Sequence, residues 1–389
     1  MRSKIFYLIL IIAFIEPFGD SILLSYGITY DIGDIIVKNI ISSLFLLLIV
    51  FSFPSSLPRL SSVYLPIYLF FFVVFTAFAN GLIFNIPRNA LNDFTSFLPI
   101  ILLFFVRNYV FDLDYIKLSK FLIVVLAVKY LIYQSFTIGI FGVPSWKILM
   151  KQSPALLVCF SILLGRVFNS KIRDVKGGYI YLFVCFFLIL VAQSRMLIIS
   201  TLFIIVVNIL ISKRKRVILY LLPFFVISFF VFLSAQDLTL DNILDHYSGD
   251  LFDEGLEYRN IQFHEILNRI TESPILGKGL GYFNPKYLDY SQFAKPYQLE
   301  LDLFNFISKI GTCLSFIYFF GYFLILVILF LAKKPQDIND LILFYIGVIS
   351  LLIYSVGQTF HQGYLFWLIL LLFFINFTKR FSKFNFNNE

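Results

Sequence analysis

The sequence has little charge, few cysteines and few histidines. Only 14% of its 389 residues are charged, against about a quarter in soluble domains, which excludes a water-soluble globular protein. The three cysteines, Cys159, Cys185 and Cys313, fall in apolar stretches without metal-ligand spacing and predict neither disulfides nor a metal centre. The three histidines form no ligand cluster either, so no cofactor is expected.

Apolar residues make up 60% of the chain, with 51 phenylalanines among them. Stretches of roughly 20 apolar residues, long enough to cross about 30 Å of hydrocarbon as helices, recur along nearly its whole length. We therefore expect an all-α polytopic membrane protein with about 12 transmembrane helices. The predicted spans are 5–24, 35–53, 62–84, 91–109, 116–138, 152–168, 178–193, 195–212, 217–235, 301–331, 339–357 and 362–378.

The basic residues set the predicted orientation. They gather in alternate short loops, as in the run Lys213 to Arg216, and the positive-inside rule assigns those loops and both termini to the cytoplasm. The apolar run 5–15 follows Arg2 and Lys4 without a cleavage site, which predicts a retained signal anchor. Because the basic residues are scattered over short loops, nucleic acid is not an expected partner.

One predicted loop is long. The chain divides into helices 1 to 9 in residues 1–235, an extracytoplasmic loop in 236–299, and helices 10 to 12 with a short cytoplasmic tail in 300–389. Long loops are usually functional. Within this one, an apolar stripe predicts an amphipathic helix that Ser273 and Pro274 end, with Arg259 on the apolar side and directed toward the membrane domain. The stripe consists of Phe263, Ile266, Leu267 and Ile270.

After this helix comes TESPILGKGLGYF, a glycine-rich segment that resembles a phosphate loop. It is not one, because Lys278 is followed by glycine instead of Ser or Thr, and its GxGxG spacing does not match the dinucleotide fingerprint. Two interpretations stand. Gly277, Gly279 and Gly281 form a tight turn that returns the loop to the membrane, or their N–H groups and Lys278 bind an anionic group such as a lipid diphosphate.

The helix that follows the loop begins with polar residues. Asp302, Asn305 and Lys309 recur at i, i+3 and i+7, a polar stripe that normally faces a cavity or a partner helix. Glu300 lies at the head of the same helix. Its carboxylate either stabilises the helix N-terminus or acts on a substrate.

Three further polar residues lie in predicted outer segments. Arg195 follows Ser194 between two apolar runs and is either an interface anchor or a functional cation. His264 falls on the polar side of the loop helix, and His361 lies at the last outer turn, where it serves either packing or substrate contact.

The ordered motifs over about residues 190–312 resemble the bacterial O-antigen polymerase and O-antigen ligase superfamily. Its members carry an SRG-like outer turn, an Arg-led loop helix running into PLLGVGLGNF, and a helix that begins HNxYL and ends near ExGxxG. Here the corresponding segments are Ser194-Arg195-Met196, then Arg259 with IQFHEILNRITESPILGKGLGYF, and ELDLFNFISKIG. Glu300 replaces the ligase-like His and Lys309 replaces a usually acidic residue, which favours a polymerase over a ligase.

The resemblance implies a GT-C-like glycosyltransferase in the bacterial cytoplasmic membrane. It would join undecaprenyl-diphosphate-linked repeat units of O-antigen, capsule or exopolysaccharide, with Arg195 and Arg259 recognising the diphosphate and Glu300 activating the acceptor. Substrate contacts are assigned to Lys278, Gly277, Gly279, Gly281, Asp302, His264, His361 and Lys309. Expected partners are the lipid-linked oligosaccharides, membrane lipids, and flippase and chain-length regulator proteins. A ligase is the nearest enzymatic alternative, and a flippase is the alternative from another class, although it needs no 60-residue outer loop.

Overall fold

The computed structural model describes residues 62–105, 114–140, 154–169, 178–192, 194–211, 250–282, 301–331, 336–357 and 364–382, with isolated positions at 40, 43, 44, 46, 47, 223 and 226. Throughout these residues the regular structure is helical and contains no strand, which confirms the all-α prediction. Two of the described helices, Leu65–Phe84 and Asp302–Leu331, are long and apolar enough to cross a membrane, and four shorter ones are apolar. The number of twelve spans stays a prediction.

A short 3₁₀ turn at Ser62–Tyr64 leads into the first described helix. The helices are α1 (Leu65–Phe84), α2 (Pro87–Thr95), α3 (Leu98–Phe105), α4 (Tyr115–Ile140), α5 (Ala155–Asn169), α6 (Gly178–Val191), α7 (Arg195–Ile211), α8 (Asp250–Glu272), α9 (Asp302–Leu331), α10 (Gln336–Tyr354) and α11 (Tyr364–Ser382).

Helix α5 lies at the centre of one group of helices and contacts α4, α6, α7 and α10. It is apolar and buried nearly all round, as expected for a helix enclosed by others. Small residues bring α5 and α10 close together: Gly347 packs on the backbone of Val158, and Gly165 packs on Leu343. A second pair, α1 and α9, carries the glycine-rich segment at one end.

The two ends of α10 differ in their surroundings. Near its start, Asp340 lies 3.8 Å from Arg166, a residue predicted to be cytoplasmic. Past its end, the carbonyl of Ser355 accepts a hydrogen bond from the N–H of Leu303 at 3.0 Å. A 19-residue helix is about 28 Å long. The predicted inner cations and the predicted outer helix ends therefore lie at opposite ends of a helix of membrane-spanning length.

Two predicted spans are interrupted. The predicted span 91–109 is broken at Ser96 and Phe97, between α2 and α3. Pro99 is the reason, because it has no N–H and its ring clashes with the carbonyl four residues earlier, so a helix cannot pass through it unbroken. The predicted span 301–331 contains a break at Gly311, where φ is 81° and ψ is 168°. A straight helix of 30 residues would be about 45 Å long, well beyond the hydrocarbon thickness.

Candidate functional site

The glycine-rich segment forms a tight turn directly after α8. Gly277, Gly279 and Gly281 all have positive φ values, between 66° and 79°, which L-residues with a Cβ rarely adopt. Each also lies against another backbone. A Cβ on Gly279 would come within 2.5 Å of the N of Gly81 in α1, and one on Gly281 within 2.2 Å of the N of Ala90 in α2. Glycine is required here for both backbone conformation and close approach.

The N–H groups of residues 277–281 all donate within the protein. Those of Lys278 and Gly279 donate to the carbonyls of Ser308 and Lys309 in α9, at 3.1 and 2.9 Å. The others, of Gly277, Leu280 and Gly281, donate to the Ser273 carbonyl at 3.0 Å, the Ala77 carbonyl at 3.0 Å and the Asp93 carboxylate at 2.8 Å. None of these five N–H groups is left for an anion. The geometry thus supports loop placement, and the predicted cradle of N–H groups is not retained.

The same turn supplies hydrogen-bond partners for the backbone at the break in α9. The non-helical backbone at Gly311 interrupts the helical hydrogen-bond ladder, and the freed carbonyls of Ser308 and Lys309 accept the turn's N–H groups instead. On the other side of the break, the N–H of Thr312 donates to the carbonyl of Pro274 at 2.7 Å. Buried backbone groups in a membrane must be paired. The loop therefore completes the hydrogen bonding of a discontinuous membrane helix.

Two asparagines at the C-terminal end of α1 donate hydrogen bonds to backbone carbonyls of the turn. The Nδ2 of Asn80 donates to the carbonyls of Leu276 and Gly277 at 3.2 and 3.1 Å. The Nδ2 of Asn85 donates to the carbonyls of Lys278 and Leu280 at 2.8 and 3.0 Å. Each amide thus bridges two carbonyls.

Lys309 forms a buried ion pair beside the turn. Its side chain is 0% exposed, and its Nζ lies 2.7 Å from the Oδ2 of Asp93 in α2. The N–H of Gly281 donates to this same oxygen at 2.8 Å. The carboxylate therefore balances a buried ammonium and binds the glycine turn at one atom.

The polar stripe of α9 faces partner helices, one of the two predicted settings. Asn305 accepts a hydrogen bond from the Nη1 of Arg269 in α8 at 3.1 Å, and Arg269 also pairs with Glu265 at 2.9 Å. The guanidinium of Arg269 lies 4.9 Å from the ring centre of Tyr282, a cation–π contact. Arg269 is only 2% exposed, so a charged cluster joins α8 to α9.

The predicted C-terminal end of the loop helix is confirmed, but its predicted buried face is confirmed only in part. It ends at Glu272, directly before Ser273 and Pro274. Ile266 is buried, whereas Phe263 and Leu267 are exposed, so their predicted burial is wrong. The buried face is rotated toward Gln262, Glu265 and Arg269, because polar groups on α9 offer hydrogen-bond partners to that side.

The predicted site residues on α8 and α9 lie in different surroundings. Arg259 is half-buried and His264 is exposed, while Asp302 is buried at the first turn of α9. Lys278 is mostly covered, and its Nζ lies 2.5 Å from the carboxylate of Glu272. Lys278 therefore already has a counter-ion on the loop.

The Arg195 turn lies at the same end of the helices as the start of α9. Arg195 is the first residue of α7, which packs on α10. Met196 lies against Gly357, where an added Cβ would come within 2.9 Å of its Cγ. The end of α10 in turn binds the start of α9 through Leu303 and Ser355.

Two predicted residues, Glu300 and His361, lie outside the described residues. No group of three or more potential metal ligands occurs in the described ranges. Comparison with known protein families gives a match over part of the chain. A family model described as O-antigen ligase matches residues 180–305, about a third of the chain, from within α6 to the first turn of α9. The chain is therefore related to the O-antigen polymerase and ligase superfamily, which confirms the resemblance of its motifs. Neither a curated protein nor a solved structure matches it.

Sequence reasoning missed Asn80, Asn85, Asp93 and Arg269 as parts of this site. The first three lie at the predicted outer end of an apolar span, in ANGLIFNIPRNALND, where polar residues interrupt the hydrophobic pattern. That interruption is a signal, since polar groups at membrane depth need partners. Their partner segment, however, lies almost 200 residues away in the sequence.

Proposed function

We propose that this protein is a polysaccharide polymerase that joins undecaprenyl-diphosphate-linked repeat units at the outer face of the cytoplasmic membrane. The family match carries this proposal, because the matched region includes every predicted catalytic residue: Arg195, Arg259 and Glu300. Support also comes from the contacts described above, which bring the start of α7, the end of α8 and the start of α9 together through α10 and the glycine turn.

In the proposed reaction, a sugar hydroxyl of one lipid-linked repeat attacks the anomeric carbon of a second lipid-linked glycan. A glycosidic bond forms, the bond from the anomeric carbon to the diphosphate oxygen breaks, and undecaprenyl diphosphate leaves with the electron pair. Arg195 and Arg259 would stabilise the charge that develops on the diphosphate, since guanidinium groups bind phosphate oxygens bidentately. Glu300 would accept the hydroxyl proton.

Transfer of a finished polymer to a different acceptor is the second candidate, favoured by the description of the matching family as O-antigen ligase. The presence of Glu300 in place of the ligase-like His favours the polymerase. In both reactions the donor is a lipid-diphosphate-linked glycan, so the two differ in the acceptor.

The lipid-linked glycans of a deletion strain separate these functions. Loss of a polymerase leaves single lipid-linked repeats, and loss of a ligase leaves long lipid-linked chains. Loss of a flippase leaves single repeats that stay on the cytoplasmic leaflet. Purified protein in liposomes with synthetic lipid-linked repeats then tests the activity directly, and failure to lengthen them would contradict the proposal. A variant carrying both Arg195→Ala and Arg259→Ala serves as the inactive control.

A further inference from the structure

The receptor for the glycine turn lies outside the matched region. The turn and α8 fall within residues 180–305, whereas Asn80 and Asn85 at the α1 end and Asp93 in α2 belong to an earlier hairpin. These three side chains supply five hydrogen bonds to the turn, two from each asparagine and one to the Asp93 carboxylate. Gly81 also touches the turn, at the backbone of Leu280.

Asp93 contacts both Lys309 and the glycine turn. A buried ammonium is costly unless it is paired, and Lys309, which is fully buried, lies 2.7 Å from Asp93. Because the Oδ2 of Asp93 also accepts the N–H of Gly281, this atom joins α2, α9 and the turn. Asp93 lies 188 positions before Gly281 and 216 positions before Lys309, and the three residues meet at one oxygen.

The glycine turn also sets the position of α8. Pro274, directly after α8, is bound to Thr312 in α9, and Arg269 in the last turns of α8 is bound to Asn305. Arg259 lies on the same helix, ten residues and about 15 Å before Arg269. A displacement of the turn relative to α1 and α2 therefore moves the C-terminal end of α8, the helix that carries Arg259.

We propose that the α1–α2 hairpin is a receptor for the catalytic loop, with Asp93 as a positioning residue that fixes α8, and hence Arg259, over the membrane domain. The part that concerns Arg259 rests on the proposed function; the docking of the loop does not. Asp93 itself touches neither substrate nor reacting atoms in this proposal. It acts through Lys309 and Gly281.

Loop position can be measured without activity. Spin labels at Ile83→Cys on α1 and Asn268→Cys on α8, both exposed positions, report the distance between hairpin and loop after Cys159, Cys185 and Cys313 are replaced. We expect a narrow distance distribution in the parent. Asp93→Asn and Lys309→Met should each broaden it, because each removes one partner of the Asp93–Lys309 ion pair.

Two double variants separate the two roles of Asp93. The pair D93N/K309M removes both charges but keeps an amide oxygen that can accept the N–H of Gly281, so we expect a narrow distance distribution. The exchanged pair D93K/K309D keeps opposite charges but places a donor opposite that N–H, so it should stay broad and lose at least tenfold in activity.

A purely structural ion pair predicts instead that the exchanged pair recovers as well as the neutral pair. That result, or an unchanged narrow distribution in folded Asp93→Asn protein, overturns the proposal. Asn85→Ala provides a variant that leaves no buried charge, and a narrow distribution there would contradict the receptor role. If the parent has no polymerase activity while these distances change as expected, the proposed function fails and the docking stands.

Discussion

Gly277 in the loop and Gly311 in α9 lie backbone to backbone: a Cβ on either residue would come within 2.4 Å of the backbone N of the other. Their φ values are 66° and 81°. The loop can enter the broken helix only because neither residue has a side chain.

Replacement of either glycine by alanine should therefore loosen the loop and destabilise the protein. The left-handed backbone alone costs about 1–2 kcal/mol for a residue with a Cβ, and the backbone contact adds to that. Thermal unfolding of the purified protein measures the loss. Gly321→Ala is the matched control in the same helix, because its added Cβ meets only the end of the Phe70 side chain, at 3.1 Å. Equal stability of Gly311→Ala and Gly321→Ala would contradict this prediction.

Asn85 should contribute to stability through its amide donors. Asn85→Ala removes two hydrogen bonds to loop carbonyls, for which we expect a loss of about 1–3 kcal/mol. Asn85→Asp should cost more, since a carboxylate would face two carbonyl oxygens. Denaturant unfolding compares both with Asn268→Ala, an exposed asparagine on α8. Indistinguishable values for Asn85→Ala and Asn268→Ala would show that the amide does not hold the turn.

Arg259 and Arg195 are predicted to bind the diphosphate, each worth about 1.5–3 kcal/mol, so replacement by alanine should lower activity roughly 10- to 100-fold or more. Lysine should rescue poorly, because a point charge cannot copy the guanidinium fork. Arg88→Ala, at an exposed position of α2, is the control for loss of a cation. Full polymer length in cells with normal amounts of Arg259→Ala protein would exclude this role.

Arg269 should behave differently from Arg259. It is buried and paired with Glu265 and Asn305, so Arg269→Ala leaves a carboxylate without its partner and should cost about 3–5 kcal/mol of stability. We expect low amounts of folded protein. The test is thermal unfolding alongside Arg259→Ala, which should keep nearly parental stability while losing activity. A loss of activity in Arg269→Ala at parental stability would instead assign Arg269 a direct role.

Glu300 is predicted to be the base for the acceptor hydroxyl. General-base help is worth about 10²–10⁴ in rate, whereas an acid at a helix N-terminus contributes only about 0.3–1 kcal/mol of stability. Glu300→Gln should therefore be expressed and bind the lipid substrate but not extend chains, while Asp302→Asn should be milder. Chain growth within about tenfold of the parent rate would exclude the base assignment. The assay uses purified protein and synthetic lipid-linked repeats.

Several features of this protein were readable from local patterns. The apolar composition predicted a helical protein, and Ser273 and Pro274 predicted the end of α8. The stripe of Asp302, Asn305 and Lys309 predicted a cavity or a partner helix, and the structure shows partner helices at Asn305 and Lys309. Periodicity and helix-ending residues act over a few neighbouring positions, so the chain reveals them directly. The ordered motifs around Arg195, Arg259 and the glycine turn predicted the family, which the match to residues 180–305 confirms.

The helical class and the resemblance to the family could be read from the sequence, because both depend on residue type and on short-range order. The roles of the glycines and of Lys309 emerge only from contacts in the folded protein. Asp93 and Lys309 are 216 positions apart, and local patterns carry no record of which distant carboxylate will neutralise a buried ammonium. Nor do they show that the N–H groups of residues 278–281 donate to α1, α2 and the break in α9. Those partners are fixed when buried polar groups, excluded from water, must find one another inside the folded chain.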